Sequence, residues 1–230
     1  MAEVGYTHRP QDSLVRSVFS GMDARRVELL AGGLQTQIFA LRALEFANQT
    51  GDFFRINLVR NQEVLLEPFA IARGVLIPAD DYTFDEYLVE IDPGEQRRLS
   101  GKLTFRGGDF YGGEHMNLVG ELTVRPSKHF RATLLYDYND IELPEGDFIV
   151  RLTSLRTDIV FSSKLSWVNL IQYDNVSGVV GLNSRLHWIP EDGKEAFLVF
   201  NHNLQDPLAP GGFQSTYAEL TAKVNYTLRF

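Results

Sequence analysis

The sequence has no cysteine in 230 residues. That excludes disulfide scaffolds, thiolate metal sites and cysteine nucleophiles. It has no run of about 18 apolar residues, so no transmembrane helix is expected. It has no basic excess: 22 Lys and Arg face 30 Asp and Glu, giving a net charge of -8 and a pI near 5.1. A nucleic-acid partner is disfavoured on that ground. The opening MAEVGYTHRPQDSLVRSVFS has no apolar core of signal-peptide length, which leaves a cytoplasmic protein or a mature or truncated chain as the expectation. No segment shows amphipathic-helix periodicity with caps. What the chain does contain, 44% hydrophobic and 12% aromatic residues, excludes a disordered polypeptide. Its length fits one domain or two small ones. A mean hydropathy of -0.15 is compatible with spanning β-strands, whose alternation averages out.

Alternation is the strongest positive signal. From Ala218 the apolar Leu220, Ala222, Val224, Tyr226, Leu228 and Phe230 interleave with Glu219, Thr221, Lys223, Asn225, Thr227 and Arg229. Period two without a break predicts a strand with one greasy and one wet face. Its length suits a bilayer crossing of about 9–11 tilted residues better than a sandwich strand. The pattern recurs: Met116, Leu118, Leu122 and Val124 against His115, Asn117, Glu121, Thr123 and Arg125, and Phe130, Ala132, Leu134, Tyr136 and Tyr138 against Arg131, Thr133 and Asp137. Val180, Leu182, Leu186 and Trp188 alternate with Asn183, Arg185 and His187. Strands are predicted at 16–31, 34–47, 53–65, 82–91, 99–106, 115–125, 129–139, 148–161, 165–173, 179–189, 195–204 and 217–230. Segments 34–47, 148–161, 165–173 and 195–204 are mixed in pattern. Residues 1–15 are poorly defined, with room for one more short strand.

The connections sort into two classes. Short turns fall at 49–52, 92–96, 126–128, 162–164 and 190–194, and longer loops at 66–81, 107–114, 140–147 and 205–216. The link at 174–178 is short but falls in the loop series. The loops carry Asp80, Asp81, Asp109, Glu114, Asp140, Glu142, Glu145, Asp147 and Asp206. Aromatics sit near both strand ends, Trp167 and Trp188 at the short-turn end and Tyr138 and Tyr173 at the loop end. Together these predict an all-β, antiparallel, up-and-down transmembrane β-barrel of about twelve strands, with short periplasmic turns and longer acidic outer loops.

The last strand resembles the signal read by the bacterial barrel assembly machinery. Lys223, Leu228 and Phe230 fit it, and Asn225 stands where glycine is usual. A longer resemblance is carried by EPFAIARGVLIPADDYTF (67–84), GDFYGGE (108–114), NDIELPEGDF (139–148), IQYDN (171–175) and NSRLHWIP (183–190). These runs resemble an uncharacterised bacterial family, a domain of unknown function with an outer-membrane β-barrel at its C-terminus. Full-length members carry an N-terminal family-nine carbohydrate-binding-like β-sandwich. The resemblance implies that residues 1–230 are a single β-barrel domain, the C-terminal part of a longer protein and an incomplete barrel, in the bacterial outer membrane. Its implied partners are outer-membrane lipid, the assembly machinery and a carbohydrate or other polar solute. The family supplies no catalytic residues.

In such a barrel the wet faces look into the lumen, and the candidate lumen charges are Glu121, Arg125, Arg131, Asp137, Arg185, Glu219 and Lys223. A search for other chemistry yields little. The densest acidic stretch, 137–147, lacks calcium-loop spacing. None of the five histidines forms a ligand pair. Ser184 and His187 are three apart, hence on opposite faces of a strand. GGDFYGGE lacks phosphate-loop context. No cofactor, metal or catalytic residue is assigned. The leading expectation is a pore or membrane anchor linked to carbohydrate or polar-solute handling. The alternatives are an outer-membrane hydrolase using rim carboxylates such as Glu142 and Glu145, and a soluble β-barrel binding protein.

Overall fold

The computed structural model describes residues 1–11, 14–30, 32–205, 212 and 214–227. Leu228 and Phe230 of the assembly signal, and Asp206 of the acidic loops, lie outside the described residues. The elements are β1 (Ala2–His8), β2 (Val15–Glu28), β3 (Leu34–Asn48), β4 (Phe53–Val64), β5 (Phe69–Ala72), β6 (Val75–Ile77), β7 (Asp81–Asp92), β8 (Leu99–Phe110), β9 (Gly113–Ser127), β10 (Phe130–Leu143), β11 (Gly146–Ser162), β12 (Leu165–Asp174), β13 (Val179–Glu191), β14 (Lys194–Gln205) and β15 (Ser215–Tyr226). Every predicted strand is present, and the poorly defined residues 1–15 supply β1. The sheet has thirteen strands in sequence order, and β5 and β6 form a separate hairpin. The pairings from β1 through β4 to β7 and β8, and from β11 through β15, are antiparallel. Among the described residues the up-and-down all-β sheet is not closed, which is consistent with an incomplete barrel.

Two of the predicted loops are strand. Residues 107–114 belong to β8 and β9, which meet at the two-residue turn Tyr111-Gly112. Both turn residues have positive φ, 46° and 86°, the twist that a tight hairpin requires. Residues 140–147 continue β10 and β11 around Pro144-Glu145. The acidic excursions are therefore paired ribbon rather than irregular loop, because their backbone groups find partners across the strand.

Register fixes the faces, since directly paired residues share a side. Met22, Leu41, Leu58 and Tyr87 form one row across β2, β3, β4 and β7. In the last strands Leu186 pairs with Leu198 and Leu198 with Ala222, one row from Phe200 and Leu220. These apolar rows are open: Leu58 is 48% exposed, Leu134 45% and Leu220 67%. The runs Met116–Val124, Phe130–Tyr138, Leu165–Tyr173 and Val180–Trp188 each occupy nine residues. That is roughly 27 Å along a strand, or a band a little over 20 Å tall at a tilt near 40°.

One polar row interrupts this face and explains the mixed pattern of 148–161 and 165–173. Thr157 pairs with Asn169 and Asn169 with Ser184. Asn169 Nδ2 donates to Thr157 Oγ1 at 3.2 Å, Ser184 Oγ donates to Asn169 Oδ1 at 2.7 Å, and Trp167 Nε1 donates to Ser184 Oγ at 2.8 Å. The side chains satisfy one another, which removes most of the cost of placing them among apolar neighbours.

Burial is concentrated at the loop end of β7, β8, β10 and β11. Ile77 is fully buried, Val75 and Leu143 nearly so, and Ile71, Tyr82, Phe110, Ile141 and Phe148 pack around them. Phe84, 7% exposed, meets Phe110 edge-on at 5.8 Å. Tyr82 and Phe84 pair with Glu63 and Asn61, on the same side of β4 as Arg55. The hairpin thus folds onto the polar face of the sheet. Two compact units divide the chain: residues 1–96, 101–120 and 138–149, and residues 97–100, 121–137 and 150–230. The buried cluster belongs to the first.

Candidate functional site

The polar face carries the chemistry, and each unit has its own arrangement. In the first unit Glu90, 6% exposed, receives Arg55 at 3.0 Å and Lys102 at 3.2 Å. One carboxylate between two cations on three adjacent strands ties β4, β7 and β8 together, and taking one partner away would strand a charge in a dry place. Toward the loop end Asn61 Nδ2 donates to Glu86 Oε2 at 2.5 Å and Tyr111 donates its hydroxyl to Glu63. Burial, then the Glu63 carboxylate, push the Tyr111 phenol well above its usual range. The Glu90 carboxylate holds both cations, while the buried Arg55 Nε has no hydrogen-bond partner.

The second unit has an open cleft of ≈ 640 Å³ at the short-turn end. Alternation on β9 brings Glu121 and Arg125 to it, β10 brings Arg131, and β11 brings Arg156 and Asp158. Lys128 and His129 enter from the β9–β10 turn. The Thr123 and Thr133 hydroxyls are hydrogen-bonded at 2.9 Å and lock β9 to β10 beneath it. Arg156 Nη2 reaches Asp158 Oδ1 at 2.9 Å. The Arg131 Nε is buried and has no hydrogen-bond partner. Four strong cations against two carboxylates make the cleft cationic in a chain of net charge -8.

Of the sequence candidates, the structure brings Glu121, Arg125 and Arg131 into this cleft. Arg185, Glu219 and Lys223 lie on the same face as Arg156 and Asp158: Asp158, Val168, Arg185 and Thr221 share one row, Arg156 and Glu219 the next, and His187 and Lys223 a third. Asp137 has the strand parity of Arg131 on β10 but does not line the cleft. Arg156, Asp158, Lys128 and His129 were not singled out by the sequence. The alternation of Arg156 and Asp158 with Leu155 and Ile159 is the signal that would have found the first two, and Thr157 masks it. At the other end of this face Gln172, Asn183, Asn201, Asn203 and Tyr217 line an uncharged depression of ≈ 300 Å³.

The rim carboxylates divide. Asp109, Glu114, Asp140 and Glu142 line a depression of ≈ 420 Å³ in the first unit, together with Tyr87 and Met116 of the apolar face. They mark the loop-side border of the apolar band. Glu145 is in a turn and does not join them. His187 and His202 pair with Phe197 and Leu182, residues of opposite parity, so they occupy opposite faces. No family model matches the sequence, and no curated protein matches it.

Proposed function

We propose that this chain is the membrane-spanning part of an outer-membrane β-barrel protein, and that its polar face lines a passage for polar solutes or anchors a partner domain that handles them. The observation that carries this reading is the pairing of open apolar rows on one face with charged rows on the other, over nine-residue spans. In water each uncovered Leu or Phe forgoes about 1.5–3 kcal/mol, and contiguous exposed rows mark a surface that something apolar covers. Lipid covers it without further contacts. The edges β1 and β15 each have one strand neighbour among the described residues, and unpaired backbone in hydrocarbon costs several kcal/mol per group. A closed sheet forms when those two edges are paired, with each other or with further strands.

The test is refolding from urea into detergent, with unboiled and boiled samples compared on a gel. A shift that vanishes on boiling is the expected outcome. Full solubility in plain buffer, with no shift, would sink the membrane reading and leave a soluble binding sheet.

A further inference from the structure

The cationic cleft of the second unit has geometry and charge that the passage reading alone does not use. We propose that it is a binding site for a small solute carrying a phosphoryl, sulfate or carboxylate group. The inference rests on the reading of the polar face as solute-facing, and it names the class of solute.

Charge balance comes first. Arg125, Lys128, Arg131 and Arg156 line one cavity together with the carboxylates Glu121 and Asp158. Asp158 is engaged by Arg156, whose Nε and Nη2 both reach it. A positive excess is thus concentrated at one place in an acidic chain. Second, Arg131 lines the cleft with no ion-pair partner among the described residues, and its buried Nε is unbonded. An anionic oxygen in the cleft would give that guanidinium a charge-assisted hydrogen bond. Third is the fork geometry of guanidinium, which matches two oxygens of a carboxylate or phosphate at once. Fourth, the ≈ 640 Å³ volume falls in the range of small-molecule sites. Beneath the cleft Thr123, only 2% exposed, is hydrogen-bonded across the strands to Thr133.

The first-unit network makes the contrast. There Arg55 and Lys102 both reach the carboxylate of Glu90, whereas Arg131 has no ion-pair partner among the described residues. The amide-lined depression on the same face carries no cation, so it serves as an internal control.

The experiment is calorimetric titration of inorganic pyrophosphate into the full chain refolded in nonionic detergent, with glucose as the neutral comparator. The expected result is saturable binding of one pyrophosphate per chain, weakened by added salt, with no heat from glucose. Arg131→Gln and Arg156→Gln should each weaken it about tenfold or more, Arg131→Lys less, and Asn203→Ala should leave it unchanged. No saturable binding, or equal affinity in the Arg131→Gln and Arg156→Gln variants, overturns the proposal. The gel shift run on the same samples separates the two readings. A chain that shifts but does not bind loses the anion site and keeps the membrane assignment. A chain that binds pyrophosphate while soluble without detergent keeps the site and loses the membrane.

Discussion

Ile77 and Leu134 are both aliphatic, yet Ile77 is fully buried and Leu134 is 45% exposed. The difference is regional. At the loop end, a hairpin folds back and encloses Val75, Ile77 and Leu143 among aromatic side chains. Along the strand middles the apolar residues point outward in registered rows and the charges point the other way. A single polypeptide thus follows the rule of water-soluble proteins in one place and its inverse a short distance along the same ribbon. The strand β7 does both: Tyr82 and Phe84 enter the buried cluster and its surroundings, while Tyr87 and Ile91, 42% and 46% exposed, lie on the open face. Side chains partition according to the medium that surrounds them. On the reading proposed above, the loop end is in water and the middle is in lipid.

That contrast can be broken from either side. The largest effect is expected at Ile77→Ala, which should cost about 2–5 kcal/mol of local stability because it empties an enclosed site. Limited proteolysis should then cut within 65–80 while the gel shift of the folded sheet persists. Equal protection of that segment would show that the hairpin is held by something other than its apolar contacts. Next is Leu134→Arg, at the middle of its nine-residue run. In a bilayer it should cost roughly 2–4 kcal/mol, read as a lower urea midpoint for refolding into vesicles. In a soluble protein an arginine at an exposed site should be close to neutral, so an unchanged midpoint would erase the distinction between the regions.

The smallest effect concerns the 174–178 turn, at the loop end of the second unit. The Ser177 hydroxyl, and then the Ser177 and Val176 amides, donate to Asp174 and hold its carboxyl below the usual range. A lowered folded-state pKa means that the contribution is present above the ordinary carboxylate pKa and fades as pH falls through the folded value. The protection of the 175–178 amides, measured against their intrinsic exchange rate at each pH, should therefore fall only in acid, and Asp174→Ala should abolish that dependence. Protection that stays unchanged in acid in the unaltered chain would remove Asp174 as the clasp.

Much of this was legible in the residues. The strands beginning near 34, 53, 99, 130, 165 and 179 appear where alternation and turn composition put them, since period two is the strand's own geometry. The shared face of Glu121, Arg125 and Arg131 was legible for the same reason. The 107–114 and 140–147 segments misled because glycine and carboxylates are common in loops, whereas here cross-strand pairing absorbs them. Gly113 shows how tightly: a Cβ there would fall on the Glu142 carbonyl. The row Thr157, Asn169 and Ser184 blurred the pattern of two strands, because three polar residues tolerate an apolar face only when hydrogen-bonded to one another, and those bonds join residues far apart in sequence.

By itself, the sequence determined the class of structure, its strands and the sidedness of each strand, because these depend on neighbours along the chain. Only the tertiary structure decided which charges meet. Arg131 reaches the cleft with Arg156 and Asp158, while Arg55 and Lys102 close on Glu90, because register across strands is a non-local choice that alternation leaves open. The same holds for Ile77: its apolar segment was visible, but its enclosure depends on where the hairpin folds against strands more than sixty residues further on.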